Sequence, residues 1–465
     1  DPYLGGTHLP DIAIVMPVFF DNKPIAVSAA MTHHQDVGGM SPGSVPPNAT
    51  EIYQEGIRIP PLKLREGKTF NDTLIQMLKL NVRVPKVFMG DIGAQISACT
   101  VGARRVVELA NRYGRGQTLQ IFNELLDRSE QLTRRALEAI PDGTYSYVDY
   151  LDNDGVNLEE SVRIEVAVTI SGSEFHCDFE GTDPQTRGPF NAVKSGSQAA
   201  AYYAVRAVTD SSIPTNGGCF RAVSLHLPEG SLVNPVEPAP VNSRTATLKR
   251  IAGCIVGALK GALPDHIPAD SAGELLVLSL GGKTSDGQPY VVGEFNAGGS
   301  GGGPRKDGVD VIETDGSNCM NMPVEALELE APARVHRMSL RTDSGGVGEF
   351  RGGLGCVREI EFLTDDIALT HRGERHRHAA RGSQGGGDGA KAFSKIVRRD
   401  GSEEVVNSKL FTMVHAGERL IVETAGGGGY GDPKERERQA IVEDVSNRKI
   451  SQQCADAEYG LDNVN

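Results

Sequence analysis

The residues best equipped for chemistry stand at the start of the chain. His8 and Asp11 lie three positions apart after Gly5-Gly6-Thr7, and His33, His34 and Asp36 fall in the run His33-His34-Gln35-Asp36. Two imidazoles and a carboxylate suit a divalent cation. Three protein ligands leave coordination positions open, as a catalytic site does and a structural one does not. A histidine beside a strand most often only hydrogen-bonds its neighbours, so the reading depends on what brings these side chains together.

The element that must do so is a hairpin. Ile12 to Phe20 and Ile25 to Met31 are apolar and rich in β-branched residues, and Asp21-Asn22-Lys23-Pro24 between them is a polar turn. A three-residue loop at 21–23 sets Asp11 opposite His33, whereas a two-residue loop at 22–23 sets it opposite His34. Opposite side chains share a face. A straight strand would send His8 to the other face. Gly5-Gly6 and Pro10 disfavour a straight strand there, leaving a bend as the way to return His8 to the same spot.

At 465 residues the chain has length for two to four domains and a large core. Hydrophobic content of 39% and charged content of 23% are those of a globular protein, and the 56 glycines and 25 prolines predict many tight turns between apolar runs. The net charge of −14 argues against a general nucleic-acid or anionic-membrane binder. No apolar run reaches the roughly 20 residues of a membrane span, and no signal peptide is visible. Seven scattered cysteines without CxxC pairs read as reduced, buried thiols of a cytoplasmic protein.

Beyond the hairpin, Val37 to Pro47 is a loop by composition, of the kind that lines or closes a site. Ile52 to Leu64 predicts a short strand ending at Pro60-Pro61. Three helices follow: one capped by Asn71 or Asp72, one capped by Asp91 and stopped by Gly114, and one from Thr118 to Ile140. From Thr144 the period changes to two, and Val162–Val168 pairs with Glu174–Phe179 across Ser171-Gly172-Ser173; His176 there carries no functional weight. Helices over 195–208 and 245–263 alternate with strands at 221–227, 275–280 and 290–296. Gly298-Gly299-Ser300-Gly301-Gly302-Gly303, followed by Arg305 and Lys306, offers N–H groups to a phosphate, but no Gly-Lys-Ser/Thr ends it, and a structural loop is favoured. The run Arg372-Gly373-Glu374-Arg375-His376-Arg377-His378 reads as a solvated loop or partner contact. Strands at 335–340, 356–362, 367–370 and 419–422 and a charged helix over 433–445 complete the chain. The fold class expected is α+β, mixed and multi-layered: a metal-bearing N-terminal hairpin with a helical region (1–143), a central α/β region (144–340) and a β-rich C-terminal region with a terminal helix (341–465).

Several stretches together resemble the hydantoinase B family, which includes the C-terminal half of ATP-dependent 5-oxoprolinases and the α subunits of acetone-type carboxylases. They are Asp1-Pro2-Tyr3-Leu4-Gly5-Gly6-Thr7-His8-Leu9-Pro10-Asp11, His33-His34-Gln35-Asp36-Val37-Gly38-Gly39, Gln54 to Pro61, Pro240 to Thr245, Asn321 to Glu325, Asp343 to Gly346 with Arg351 to Gly355, and Gly426 to Pro433. They run in order along the whole chain. The resemblance implies one divalent metal held by His8, Asp11 and His33, with zinc favoured and manganese or iron tolerated, and His34 and Asp36 as orienters or proton carriers. It implies a further carboxylate from a lead-in segment upstream of Asp1, so the sequence reads as starting inside a longer protein. It also implies a hydantoinase A-type partner that binds ATP and phosphorylates a cyclic amide, in an α2β2 or larger heteromer. This subunit would then hydrolyse that activated amide, since a metal lowers the pKa of bound water to about 7. The alternatives are ketone carboxylation by an acetone-carboxylase-type α subunit and a non-catalytic scaffold.

Overall fold

The structure, a computed structural model, describes residues 1–284 and 287–461. Its first layer is the hairpin of β1 (Asp11–Phe20) and β2 (Lys23–His33). The turn is the pair Asp21-Asn22, with φ of 50° and 60°. Positive φ at both positions is the type I′ geometry that matches strand twist. This turn is one residue shorter than the loop at 21–23 and one position earlier than the loop at 22–23. A bulge between Val18 and Phe19 then shifts the register so that Asp11 faces His33.

Two short strands, β3 (Arg65–Glu66) and β4 (Thr69–Phe70), precede α1 (Asp72–Asn81), α2 (Pro85–Tyr113) and α3 (Arg115–Leu137). Asn71 caps α1 through the Leu74 N–H. The second helix starts six residues before Asp91, because Pro85 at its first turn has φ preset and no N–H to lose. It packs across the hairpin, burying Phe88 and Ile92 with Leu9, Val37 and Ile52 against Ile12 and Ile14. The hairpin's other face is open: Val15, Phe19, Val27 and Met31 are each more than half exposed. The strand expected within 52–64 is absent; a 3-10 turn (Ile52–Gln54) stands there, and the following Glu55 carboxylate is buried.

The second layer is a sheet of β5 (Gly143–Leu151), β6 (Val162–Ser171), β7 (Glu174–Asp178) and β8 (Val223–His226), ordered β5-β6-β7-β8. Alternate residues Val162, Ile164, Val166, Val168 and Ile170 face inward onto α4 (Lys194–Val208) and α5 (Arg244–Ala258), forming the largest apolar cluster. The third region holds two sheets, β10-β9-β13-β16 and β11-β12-β17-β14-β15. They are built from β9 (Leu275–Lys283), β10 (Pro289–Ala297), β11 (Ala333–Leu340), β12 (Cys356–Phe362), β13 (Ile367–Arg372), β14 (Phe393–Val397), β15 (Glu403–Val405), β16 (Lys409–Val414) and β17 (Arg419–Glu423), with α6 (Val324–Glu330) between β10 and β11. Leu276, Leu280, Ile360, Leu369 and Leu420 belong to the core between them. The chain closes on two helices, α7 (Arg438–Ser446) and α8 (Gln452–Tyr459), not on the single helix expected.

Beside these sheets, four glycine-rich segments run together as a hydrogen-bonded lattice. Gly299 N–H reaches Ala425 O at 3.0 Å, Gly302 reaches Gly428 O at 2.8 Å, Gly353 reaches Ser300 O at 2.8 Å and Gly429 reaches Gly387 O at 2.8 Å. A Cβ on Gly299 would lie 1.8 Å from Gly353 O, and one on Gly427 would lie 2.0 Å from Ser300 O. Only glycine allows backbones so close. The N–H groups of Gly299 and Gly302 are thus spent on carbonyls and do not cradle a phosphate.

The basic run from Arg372 is not a solvated loop. His371, Glu374 and Arg375 are buried. Arg375 and Arg250 both reach Asp149 at 3.0 Å, Glu374 pairs with Lys409 at 2.5 Å, and Asp152 accepts the N–H groups of His376 and Arg377. The run is a tertiary clasp joining β5, α5 and β16, in which Arg375 and Glu374 meet opposite charges distant in sequence. Burial alone would raise the Asp149 carboxyl, but Arg375 and Arg250 hold it well below the usual carboxylate range.

Candidate metal centre

The site forms where the hairpin's open end meets the segment before α5. Pro10 O accepts the His34 N–H at 2.8 Å and His8 O accepts the Asp11 N–H at 3.3 Å, so the chain reverses at Leu9-Pro10 just before β1. That reversal carries His8 back over Asp11 and beside His33, with the two imidazole centroids 4.8 Å apart. One ligand atom from each of His8, Asp11 and His33 lies within 4.8 Å of the others. His8 is buried, Asp11 is intermediate and His33 is exposed, so the cluster is sealed below and open at the His33 side.

Each side chain is held from behind. Asp11 Oδ2 accepts from Arg244 Nη2 at 2.6 Å and from the Thr7 hydroxyl at 2.7 Å, leaving Oδ1 directed at His8 Nε2, 3.0 Å away. His8 Nε2 is buried and meets Asp11 Oδ1 alone. A ring nitrogen and a carboxylate oxygen thus face each other at one point, as co-ligands of a cation do. The Asn242 amide donates to Ser44 O, so its Oδ1 faces His8 Nδ1 at 3.1 Å. An Nδ1–H bond to that oxygen leaves the Nε2 lone pair free for a cation. Arg244 Nη1, 3.0 Å from the same Nδ1, favours the other tautomer, so the two neighbours compete for this nitrogen.

The electrostatics suit ligation. Burial, reinforced by Arg244, pushes His8 down to about 3, so its imidazole is neutral. Burial opposes ionisation of Asp11, but His8 and Arg244 outweigh it and keep the carboxyl well below its usual range. Glu55, fully enclosed, accepts the Val241 and Asn242 N–H groups through Oε1, and its carboxyl is raised to about 8 by burial.

His34 and Asp36 lie apart from the cluster. Successive strand residues point to opposite faces, and His34 turns toward α2, where it packs on Phe88 and meets Gln95 Oε1 at 3.2 Å. Gln95 also donates to Ile12 O and Ala30 O, tying both hairpin strands and His34 to one helix. Asp36 accepts from the N–H groups of Gly38, Gly43 and Arg83 and from the Arg83 guanidinium. It organises the loop after the hairpin. Sequence reasoning assigned no role to Arg244, Asn242 or Glu55. Their signal was that Gln54 to Pro61 and Pro240 to Thr245 are among the stretches that resemble the family. A second acid–histidine group, Asp178, Glu180 and His226, lies on the open edge of β7 and β8.

Comparison with known proteins gives the fold its relatives. A putative D-/L-hydantoinase component of the B type, from Pseudomonas sp. strain NS671, is 33% identical over 99% of this chain and 79% of its own length. The crystal structure of ATP-dependent caprolactamase from Pseudomonas jessenii superposes with a TM-score of 0.93 at 32% identity, covering 99% of this chain and 81% of the other. Nucleotide-free acetone carboxylase shares the fold, with a TM-score of 0.90 at 20% identity over 98% of this chain and 67% of its own. A family model described as hydantoinase B/oxoprolinase matches residues 1–433, and the chain belongs to that family.

Proposed function

We propose that this chain is the metal-bearing subunit of an ATP-dependent cyclic amidohydrolase, with His8, Asp11 and His33 as ligands to one divalent cation, zinc in preference to manganese or iron. The observation that supports it most is the convergence of His8 Nε2, Asp11 Oδ1 and His33, with the first two facing each other at 3.0 Å. The donor set fits: a neutral imidazole, an ionised carboxylate and a second imidazole at the open side suit a borderline-soft cation. Such a cation supplies Lewis acidity toward water and carbonyl oxygen.

The protein's own groups do the positioning. Arg244 and Thr7 clamp one oxygen of Asp11, Asn242 sets the His8 ring, and Gln95 locks His34 and thereby the end of β2. His34 and Asp36 act as orienting residues in this reading, since Gln95 holds the His34 ring through Nε2 and Asp36 is saturated by structural partners.

The ATP-consuming step belongs to a hydantoinase A-type partner, a division that fits relatives named as one component of a hydantoinase and as ATP-dependent. The open apolar face of the hairpin, led by Val15, Phe19, Val27 and Met31, is surface that an assembled complex would bury. An α2β2 heteromer in the cytoplasm is the assembly proposed, in keeping with the free cysteines. Among the described residues no helix is long and apolar enough to cross a membrane.

The test is ATP turnover by the reconstituted pair with a panel of lactams, imides and ketones, with and without bicarbonate. Lactam- or imide-dependent turnover that needs His8 and Asp11 is the expected result. Ketone turnover that requires bicarbonate would replace hydrolysis with carboxylation, and turnover unchanged in His8→Ala would leave only a scaffold role.

A further inference from the structure

A cavity adjoins the site at the start of α5. Ser243, Thr245, Ala246, Phe190, Leu275 and Val277 line it together with Arg372, Gly373 and Glu374. Arg372 ends β13 and donates from Nη1 to the Ser243 hydroxyl at 3.2 Å. Its Nε is buried without a partner, and among the described residues no carboxylate lies within ion-pair distance of it. The contrast with its neighbour is sharp: the Arg244 charge is met by Asp11 at 2.6 Å. Glu374, the one acid on the cavity wall, is already committed to Lys409 and to the Asp152 N–H.

A partly buried guanidinium with no carboxylate paired to it, and only the charge of Glu55 attracting it, favours a further anion beside it. Three further features point to the same charge. The cavity sits at the N-terminus of α5, a 15-residue helix whose first turn has no acid to offset its positive end. The Ser243 and Thr245 hydroxyls each accept from a guanidinium, Arg372 and Arg244 respectively, which turns their own protons outward as donors. Ser243 also lies between Asn242 and Arg244, the two residues that hold His8 and Asp11.

We propose that Arg372, Ser243 and Thr245 form an oxyanion subsite, a cavity of about 20 Å³ that takes one oxygen of a phosphoryl or carboxylate group of the substrate. The proposal rests on the hydrolase reading only in calling the occupant a substrate. The chemistry is that of a tetrahedral or planar oxyanion. Two sources carry it: a phosphoryl group placed on the amide oxygen by the ATP-dependent partner, or a carboxylate of the cyclic amide itself.

The experiment is calorimetric titration of the full chain with inorganic phosphate and, separately, with butyrate. Both are compared in wild type, Arg372→Gln and Ala246→Leu, with melting temperature and metal content measured on the same samples. Phosphate binding that weakens about 10–100-fold in Arg372→Gln, the loss of one charge-assisted contact, supports the subsite and a phosphoryl occupant. Butyrate binding alone, lost in the same variant, supports it with a carboxylate occupant. Ala246→Leu fills the cavity without touching a polar group, so it must weaken the same anion even if Arg372→Gln does not fold. No binding of either anion to wild type, or equal binding to both variants, overturns the proposal. Wild-type protein free of metal that still shows Arg372-dependent anion binding sinks the metal reading and leaves this one standing.

Discussion

The chain has two histidine-rich stretches, and they came to opposite ends. His33-His34 closes a hairpin, and its place follows from local pairing: Asp11 is opposite His33 because strand register says so. His371 to His378 looks more hydrophilic, with three arginines, two histidines and one acid among the seven residues from Arg372, yet His371, Glu374 and Arg375 are buried among partners distant in sequence. Asp149, Asp152 and Glu274 each come from segments far from residue 371, and every one of them bonds within the run or to its backbone. The lesson is that charge density in a sequence predicts exposure only when no opposite charge is waiting elsewhere in the fold.

The contrast can be broken by mutation. The largest expected effect is on turnover: His8→Ala or Asp11→Asn should lower substrate-dependent ATP turnover of the reconstituted pair by at least about 1,000-fold, with metal content falling in parallel and assembly intact. If the two stretches were alike, the same change in the basic run would do the same. Instead, Asp149→Asn should act on stability, costing about 3–5 kcal/mol by leaving Arg250 and Arg375 buried without their shared counter-ion, as read from chemical denaturation.

Its pH dependence has a definite sign. A carboxyl held well below its ordinary 3.8 contributes stability that is complete above that value and is lost as the pH falls through the folded-state value. Acid unfolding of Asp149→Asn should therefore be shallower below about pH 4 than in wild type; equal slopes would show the carboxylate is not specially held.

A smaller effect tests the support behind the metal cluster. Asn242→Ala removes the acceptor at His8 Nδ1 and should weaken metal affinity by about 10–100-fold with the ligands unchanged, measurable by competition with a chelating dye. The smallest is a control on the other acid–histidine group. His226→Gln should leave metal content unchanged and shift stability by no more than about 0.5 kcal/mol, because the His226–Asp178 pair at 2.8 Å is a contact between two exposed side chains.

Legibility followed the range of the interactions. The hairpin, the Asn71 cap, the β6–β7 pair and the helices near 195–208 and 245–258 were readable because period, turn and cap are local quantities. The strands β14, β15 and β16 went unseen: β14 and β16 are short and mixed in pattern, and pairing with β17 and β13 stabilises them where their own sequence does not. The strand expected at 52–64 failed for the reverse reason. A buried Glu55 carboxylate and Gly56, at φ 142° against Val37, tie that segment to tertiary partners instead of to a neighbouring strand.

By itself the sequence determined which imidazoles and carboxylate stand at the hairpin's open end, the hairpin itself, the bend before it near Pro10, and the family. Tertiary structure alone decided what stands behind them: Arg244 on Asp11, Asn242 on His8, and an unpaired Arg372 at the neighbouring cavity. The physical reason is distance along the chain. Backbone geometry links residues a few positions apart or paired across one turn, whereas the groups that set charge and tautomer at this site arrive from segments more than two hundred residues away, joined only when the cores have packed.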